Sequence, residues 1–497
     1  VSDPRTLDRA LVSGIAWTGA MRWLAQIVSW IATVYAARKL QPGDYGIVSM
    51  AMIAIGLARM VEDFGLDAIL VQDRTINGKQ QAQIAGFILI FAAGLCGFFL
   101  LIAHPVAEFF REPQVAWAIS LLSLLFITDA LQVVPRALLQ RDLAYSRLSI
   151  AAFVQTLVTQ AVLVECALYG LGFRSLILNN LAGAVVVTLL LLTWRPYAIR
   201  WPRDFSEIAR VLLQGWRMLA SRGANYFYSM ADQTIIGRIL GKDALGAYSF
   251  AQTLSTTTIQ EVSSVVTKVV PGIFSATQEH RAELRRYFLM LTEFISYLTL
   301  PMCVGLALTA DVVVPTVLGP NWESVVGPLR ILCVYTAFSN AQLLISHVMI
   351  WTGQFRAQMW CTILTAIAIP PSYLFAARFG LEGIAWALAI VYPITNIPPI
   401  VIAFRTISIG VKDWLGSLYP AAVSCAIMSI VVIGVRSILP QDASLVVRCA
   451  IPIAAGALTY CCAMWFLFRT RLMQMINVVR ALRSTKPVDA APAVGTA

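Results

Sequence analysis

A chain of 497 residues with 59% hydrophobic and 13% charged residues and a mean hydropathy of +0.75 has too few polar side chains to cover a soluble globule. It reads as an all-α polytopic membrane protein, and at about 20 apolar residues per crossing with short connections, about 14 transmembrane helices fit. The net charge of +11 does not point to nucleic acid: the basic residues punctuate apolar spans instead of forming a tract, as topology signals do.

In chain order, the first residues run into an apolar span too long for a signal-peptide core and without a small-residue cleavage site, so that span is expected to stay as the first helix. Apolar runs bounded by Pro, Gly and charge place spans near 10–36, 45–70, 82–104, 114–139, 148–169 and 173–194, an N-lobe over residues 1–200. A basic, aromatic linker follows. In it Ser206 can cap a short surface helix that lays Phe205, Ile208 and Leu212 on the bilayer. Spans near 211–238, 245–270, 286–309, 325–350, 357–378 and 382–404 form a C-lobe over residues 201–405. A further pair near 414–438 and 445–468 (residues 406–470) has no counterpart in the first half, and residues 471–497 are expected to be a cytoplasmic, largely disordered tail.

Most Lys and Arg fall on one side of these spans. The other side receives Arg38, Lys39, Arg111, Arg174, Arg238 and Lys242, with Arg378, Arg436 and Arg448, so both termini are placed in the cytoplasm. Pro301, Pro315, Pro370, Pro371, Pro393, Pro398 and Pro399 crowd the second half as kinks, static or hinge-like. The nine cysteines lie within apolar spans without metal-ligand spacing, and the three histidines are scattered, so no metal site is expected. No Walker loop or catalytic constellation is present, so neither a cofactor nor an enzyme is expected.

One stretch occurs twice. Residues 37–51, A-R-K-L-Q-P-G-D-Y-G-I-V-S-M-A, align without gaps on 237–251, G-R-I-L-G-K-D-A-L-G-A-Y-S-F-A, pairing Arg38 with Arg238, Leu40 with Leu240, Gly46 with Gly246, Ser49 with Ser249 and Ala51 with Ala251. The same shift pairs Arg22 with Arg222 and Ser29 with Ser229. Two copies of a helix, turn and helix unit thus open two halves of the molecule.

Charged groups at mid-bilayer cost about 2.5 to 3.5 kcal/mol each and call for a cavity or a partner. Arg22 and Arg222 each sit about 12 residues, or about 18 Å, into their span. Helical spacing sets Gln26, Ser29 and Thr33 beside Arg22, and Asn225, Tyr226, Ser229 and Gln233 beside Arg222, a stripe that either lines a cavity or forms a hydrogen-bonded seam. On the second span Arg59 can pair with Glu62 or Asp63 one turn away, as a self-neutralised cluster or as a ligand or proton site. Asp232 and Glu261, the latter near the position equivalent to Glu62, are further candidates for ion pairing or for coupling to H+ or Na+.

The residues A-R-K-L-Q-P-G-D-Y-G (37–46), F-G-L-D-A-I-L-V-Q (64–72), V-P-R-A-L-L-Q-R-D-L-A-Y (134–145), D-Q-T-I-I-G-R-I-L-G-K-D-A-L-G-A-Y (232–248) and F-G-L-E-G-I-A-W-A (379–387), in this order, resemble the Wzx-type lipopolysaccharide and exopolysaccharide flippases of the multidrug/oligosaccharidyl-lipid/polysaccharide exporter superfamily. The resemblance spans roughly residues 5–470. It implies two pseudo-symmetric six-helix lobes around a central V-shaped cavity plus two C-terminal helices, in the bacterial inner membrane. The implied substrate is an undecaprenyl-pyrophosphate-linked oligosaccharide, with polysaccharide polymerase and export machinery as partners. On that view Arg22, Arg222 and Arg59, with Gln26, Ser29, Asn225, Tyr226 and Ser229, bind the pyrophosphate and sugars. Glu62, Asp63, Asp232 and Glu261 serve coupling or ion pairing, while neither Arg59 nor Arg330 aligns to a fixed family motif. The alternatives are an ion-coupled small-molecule exporter of the same superfamily and a membrane glycosyltransferase or polymerase.

Overall fold

With no water in the hydrocarbon to satisfy backbone N–H and C=O groups, a spanning chain must close its hydrogen bonds within itself, and every regular element among the described residues is a helix. The computed structural model describes residues 21, 23–62, 77–201, 226, 228–277, 280–440 and 444–473. The proposed surface helix around Ser206, and the tail from residue 474 on, lie outside these; residues 471–473 are helical. Nine helices or helix runs among the described residues are long and apolar enough to cross a bilayer.

The first half comprises α1 (Trp23–Ala37), α2 (Pro42–Glu62), α3 (Gly78–Phe110), α4 (Gln114–Leu122), α5 (Leu124–Arg141), α6 (Tyr145–Leu168) and α7 (Phe173–Trp194). The second holds α8 (Ala231–Ile239), α9 (Lys242–Thr277), α10 (Arg281–Val317), a 3-10 turn (Pro320–Val325), α11 (Val326–Ala341), α12 (Leu343–Trp351), α13 (Phe355–Ala376), α14 (Gly380–Thr395) and α15 (Ile397–Thr406), and the additional pair is α16 (Val411–Ile438) and α17 (Leu445–Leu467).

Three expected spans are broken in the middle. The run near 114–139 is split at Ser123, whose hydroxyl donates to the Ser120 carbonyl. The run near 325–350 is split at Gln342. The run near 382–404 is split at Asn396, three residues after Pro393, and α15 restarts with Pro398 and Pro399 in its first turn, where a missing N–H costs nothing. Proline is carried by first-half helices too, at Pro105 in α3 and Pro135 in α5, so the kinks are not confined to the second half.

The spans are not amphipathic in the manner of soluble helices, because lipid solvates their outer faces. Leu101, Phe466 and Ile438 are about four-fifths exposed, and the facing sides hold small residues instead. A Cβ on Gly183 of α7 would lie 2.1 Å from the Thr159 hydroxyl of α6, and one on Gly456 of α17 would lie 2.9 Å from Val432 of α16. These two hairpins are held by close backbone approach.

By packing, residues 1–251, 317–328 and 369–387 form one compact unit and residues 252–316, 329–368 and 388–497 another. In the first unit, the segment after α7 runs extended along its own half. Arg195 pairs with Asp142, the Tyr197 hydroxyl donates to the Leu131 carbonyl at 3.2 Å, and the Arg200 N–H donates to the Ala82 carbonyl at 2.9 Å. Burial there raises the Tyr197 phenol above its ordinary value. The second unit has an apolar core of Phe274, Leu284, Phe288, Ile295, Leu344 and Phe404.

Candidate functional site

The repeated stretch builds the first part of the site by packing against itself. An ideal Cβ on Gly46 would lie 1.9 Å from the carbonyl oxygen of Lys242, and one on Gly246 would lie 1.7 Å from that of Pro42. Since residues 42 and 242 are repeat mates, as are 46 and 246, the contact is reciprocal, as it is across a two-fold axis. Glycine is required here by backbone approach, in the manner of small-residue crossings in lipid. One turn on, the Ser49 hydroxyl donates to that of Ser249 at 3.1 Å, joining a third repeat pair.

An aromatic cluster closes over this seam. Tyr45 meets Phe250 and Trp322 edge-on with centroids 5.2 Å apart in both cases, and Phe250 lies 4.5 Å from Trp322. Trp322 is fully buried, and its indole N–H donates to the Ala37 carbonyl at 2.8 Å. The charged repeat pair has diverged. Arg38 donates to the Val317 carbonyl at 2.8 Å, whereas the Arg238 guanidinium lies 5.4 Å over the Phe109 ring. Lys242 pairs with Glu112, in the turn that follows α3, at 3.0 Å.

Of the sequence-predicted residues, Arg22, Arg222, Asn225 and Asp63 lie outside the described residues, while Glu62 and Glu261 lie on α2 and α9 with their side chains outside the description. Gln26 and Ser29 are half-buried on α1, and the Ser29 hydroxyl accepts from the Gln160 amide of α6 at 3.1 Å. Tyr226 stands against Gly56, and its hydroxyl donates to the Met52 and Ile53 carbonyls at 3.2 and 3.0 Å. That hydroxyl is committed to the backbone of α2. Ser229 is exposed and bonds back to the Tyr226 carbonyl at 2.9 Å. Asp232, 4% exposed, accepts from the Tyr248 hydroxyl at 2.9 Å and from the Gln233 N–H at 2.7 Å.

Arg59 is exposed and pairs with Asp129 of α5 at 3.5 Å. Helical spacing also offers Arg59 the carboxylates of Glu62 and Asp63, whose side chains lie outside the described residues. One turn along α5, the Gln132 amide donates to Thr188 at 2.9 Å and its carbonyl accepts from Arg136 at 2.9 Å. Polar groups thus continue from Asp129 along α5 to Arg136.

In the second unit, Asp311 of α10 holds Arg330 at 2.8 Å and also Arg436 of α16. Both arginines donate to carbonyls of α10 as well, Arg330 to Ala307 and Arg436 to Leu308. Charge-assisted bonds to one carboxylate therefore tie the additional helix pair to α10 and α11. The sequence reading takes Arg436 as a topology signal and leaves Arg330 without a role; the only signal for the cluster was that an aspartate inside an apolar span needs a partner. Among the described residues no group of His, Cys, Asp and Glu has metal-binding geometry.

A family model described as "Polysaccharide biosynthesis protein" matches residues 36–327, more than half of the chain. The teichuronic acid biosynthesis protein TuaB of Bacillus subtilis (strain 168) is 23% identical, covering 92% of this chain and 95% of its own. The succinoglycan biosynthesis transport protein ExoT of Rhizobium meliloti (strain 1021) is 22% identical over 96% and 97%. Among solved structures, the lipid II flippase MurJ in an inward closed conformation superposes with a TM-score of 0.71 at 10% identity, covering 92% of this chain and 99% of that one.

Proposed function

The chain belongs to the family of polysaccharide biosynthesis proteins, and from that premise we propose that it is a flippase carrying undecaprenyl-pyrophosphate-linked oligosaccharide repeat units from the cytoplasmic to the periplasmic leaflet of the bacterial inner membrane. The glycan would serve exopolysaccharide, O-antigen or capsule synthesis. The single observation that carries this reading is the reciprocal seam. Two copies of one helical unit, meeting through Gly46, Gly246, Ser49 and Ser249, are a self-complementary closure for two lobes that rock about a substrate site. The relatives in biosynthesis and transport of cell-surface polysaccharides support the same substrate class.

The chemistry is translocation and no bond is broken. A pyrophosphate with its sugars must cross about 30 Å of hydrocarbon while its prenyl tail stays in lipid, so guanidinium counter-charges are needed where water is scarce. Arg22 and Arg222, matched in the repeat, are the residues we assign to the pyrophosphate, and Arg59 beside Asp129 is assigned to the sugar path. Asp232 and Glu261, with Glu62 and Asp63, are the carboxylates through which H+ or Na+ coupling would act. Both termini are placed in the cytoplasm on the count of basic residues.

The test is depletion of the protein. Intact lipid-linked repeat units are expected to accumulate facing the cytoplasm, with glycan assembly complete; accumulation of incomplete glycans would establish the transferase alternative instead. Complementation then addresses the site. Arg22→Ala or Arg222→Ala is expected to cost about 1.5 to 3 kcal/mol, roughly ten- to 150-fold in affinity, with partial rescue by lysine. Normal export by the double alanine variant at normal membrane levels would remove both residues from the site.

A further inference from the structure

The additional helix pair holds a cavity that the transport reading leaves unused. Where α16 ends and α17 begins, a recess of about 380 Å³ is lined by the polar Arg436, Ser437 and Arg448 together with the apolar Val312, Ile433, Leu439 and Pro452. That volume lies within the roughly 300 to 1,000 Å³ of small-ligand sites.

Among the described residues its charge is unbalanced. Arg436 and Arg330 share the single carboxylate of Asp311, which leaves that cluster one positive charge in excess. Arg448, half-buried at the start of α17, adds a second and has no ion pair among the described residues. Arg436 gives one donor to Leu308 and another to Asp311, and its side chain, which carries five N–H groups in all, also lines the recess. The positive end of the α17 dipole, capped by the Ser444 hydroxyl accepting from the Val447 N–H at 3.4 Å, lies at the same rim.

The surroundings decide which anion fits. Ile433 is 55% exposed and Ile430 72% exposed on α16, and Val446 is 70% exposed on α17, so the cationic recess opens beside a face made for alkyl chains. A cationic pocket at the end of two spans, flanked by such a face, suits a ligand with an anionic head and apolar tails. We propose that this recess binds the phosphate of an anionic lipid, with Arg448 and Arg436 on the phosphate, Ser437 on an ester or glycerol oxygen, and the chains along Ile433 and Ile430. It is a lipid site apart from the repeat seam and its arginines, and it sits where the additional pair is tied to α10 through Asp311. A bound lipid would therefore strengthen that tie.

The experiment is native mass spectrometry of the delipidated full chain, with phosphatidylglycerol, phosphatidylcholine, undecaprenyl phosphate and inorganic phosphate as probes. An anionic lipid is expected to be retained about tenfold better than phosphatidylcholine, and Arg448→Gln is expected to remove most of that preference with its melting temperature unchanged. Arg448→Lys should keep part of it. Whichever of phosphatidylglycerol and undecaprenyl phosphate is retained better names the source of the phosphate. Equal retention of phosphatidylcholine and phosphatidylglycerol, an unchanged preference in Arg448→Gln, or displacement of the lipid by an equal concentration of inorganic phosphate would each overturn the proposal.

Discussion

The repeat seam in the first unit and the Asp311 cluster in the second both join helices in a medium where apolar surface gains nothing by leaving solvent, and they do it by opposite means. At the seam, helix backbones touch through Gly46 and Gly246, and neutral hydroxyls bond across it from Ser49 to Ser249. In the cluster, one carboxylate holds two guanidiniums, each of which also bonds a backbone carbonyl of α10. On the proposed function, the difference separates a contact that parts from one that stays. Shape complementarity between small residues is lost without stranding a charge, whereas opening the cluster would leave unpaired ions at a membrane's edge.

Substitution at the seam is the hardest blow to this comparison. Gly46→Ala or Gly246→Ala drives a methyl into a backbone carbonyl less than 2 Å away, and neither helix can yield without moving the other. A cost of about 1 to 3 kcal/mol in the closed arrangement is expected, read as a fall in polysaccharide export with little change in membrane level. Export at the normal rate by the Gly46→Ala, Gly246→Ala double variant would show that the seam does not close during transport.

Asp311→Asn comes next. It leaves Arg330 and Arg436 facing each other without a counter-ion, and about 1 to 2 kcal/mol of stability should be lost, less than for a fully buried pair because Asp311 is 37% exposed. Thermal melting in detergent measures it. Export should suffer only as far as the fold does, which is what distinguishes this cluster from the seam.

The Arg59–Asp129 pair lies between the two cases, with its side chains 44% and 37% exposed and 3.5 Å apart. A double-mutant cycle of Arg59→Ala and Asp129→Ala on melting temperature should give a coupling below about 1 kcal/mol. If Arg59 touches substrate, its loss should lower export more than the loss of Asp129; equal effects would make the pair structural.

The smallest effect belongs to Ser49→Ala, which removes one hydroxyl-to-hydroxyl bond and should cost about 0.5 kcal/mol, the low end for a neutral hydrogen bond. Its cysteine counterpart is more informative. Ser49→Cys with Ser249→Cys should form a disulfide that stops export and is relieved by reductant, and export undisturbed by a demonstrated cross-link would make the seam permanent.

Much of the fold was legible because lipid imposes a simple rule, about 20 apolar residues per crossing, and among the described residues most helices lie within the expected spans. The breaks at Ser123 and Gln342 were not, since nothing in an apolar run marks where one turn loses its hydrogen bond. The repeat announced itself by identities at a constant shift, yet only the packing shows Gly46 and Gly246 in contact with each other's strand of the duplication. Side-chain partners were the least legible. Helical spacing offers Arg59 the acids at positions 62 and 63, and Asp129 could not be preferred without knowing how α2 and α5 cross. Tyr226, placed by spacing in a polar stripe, proves to be a strut against Gly56, because a tyrosine hydroxyl serves backbone carbonyls as readily as ligands.

The extended segment after α7 bears on how the protein is made. Each of its partners precedes it in the chain: Asp142 for Arg195, Leu131 for Tyr197, and Ala82, with Gly86 beneath, for Arg200. During vectorial synthesis this segment meets a docking site already inserted, and can fasten the first half before the second leaves the ribosome. A gene divided just after Trp201 should therefore yield two polypeptides that assemble in the membrane, whereas a division before Arg195 would strip the first of the strap that finishes it.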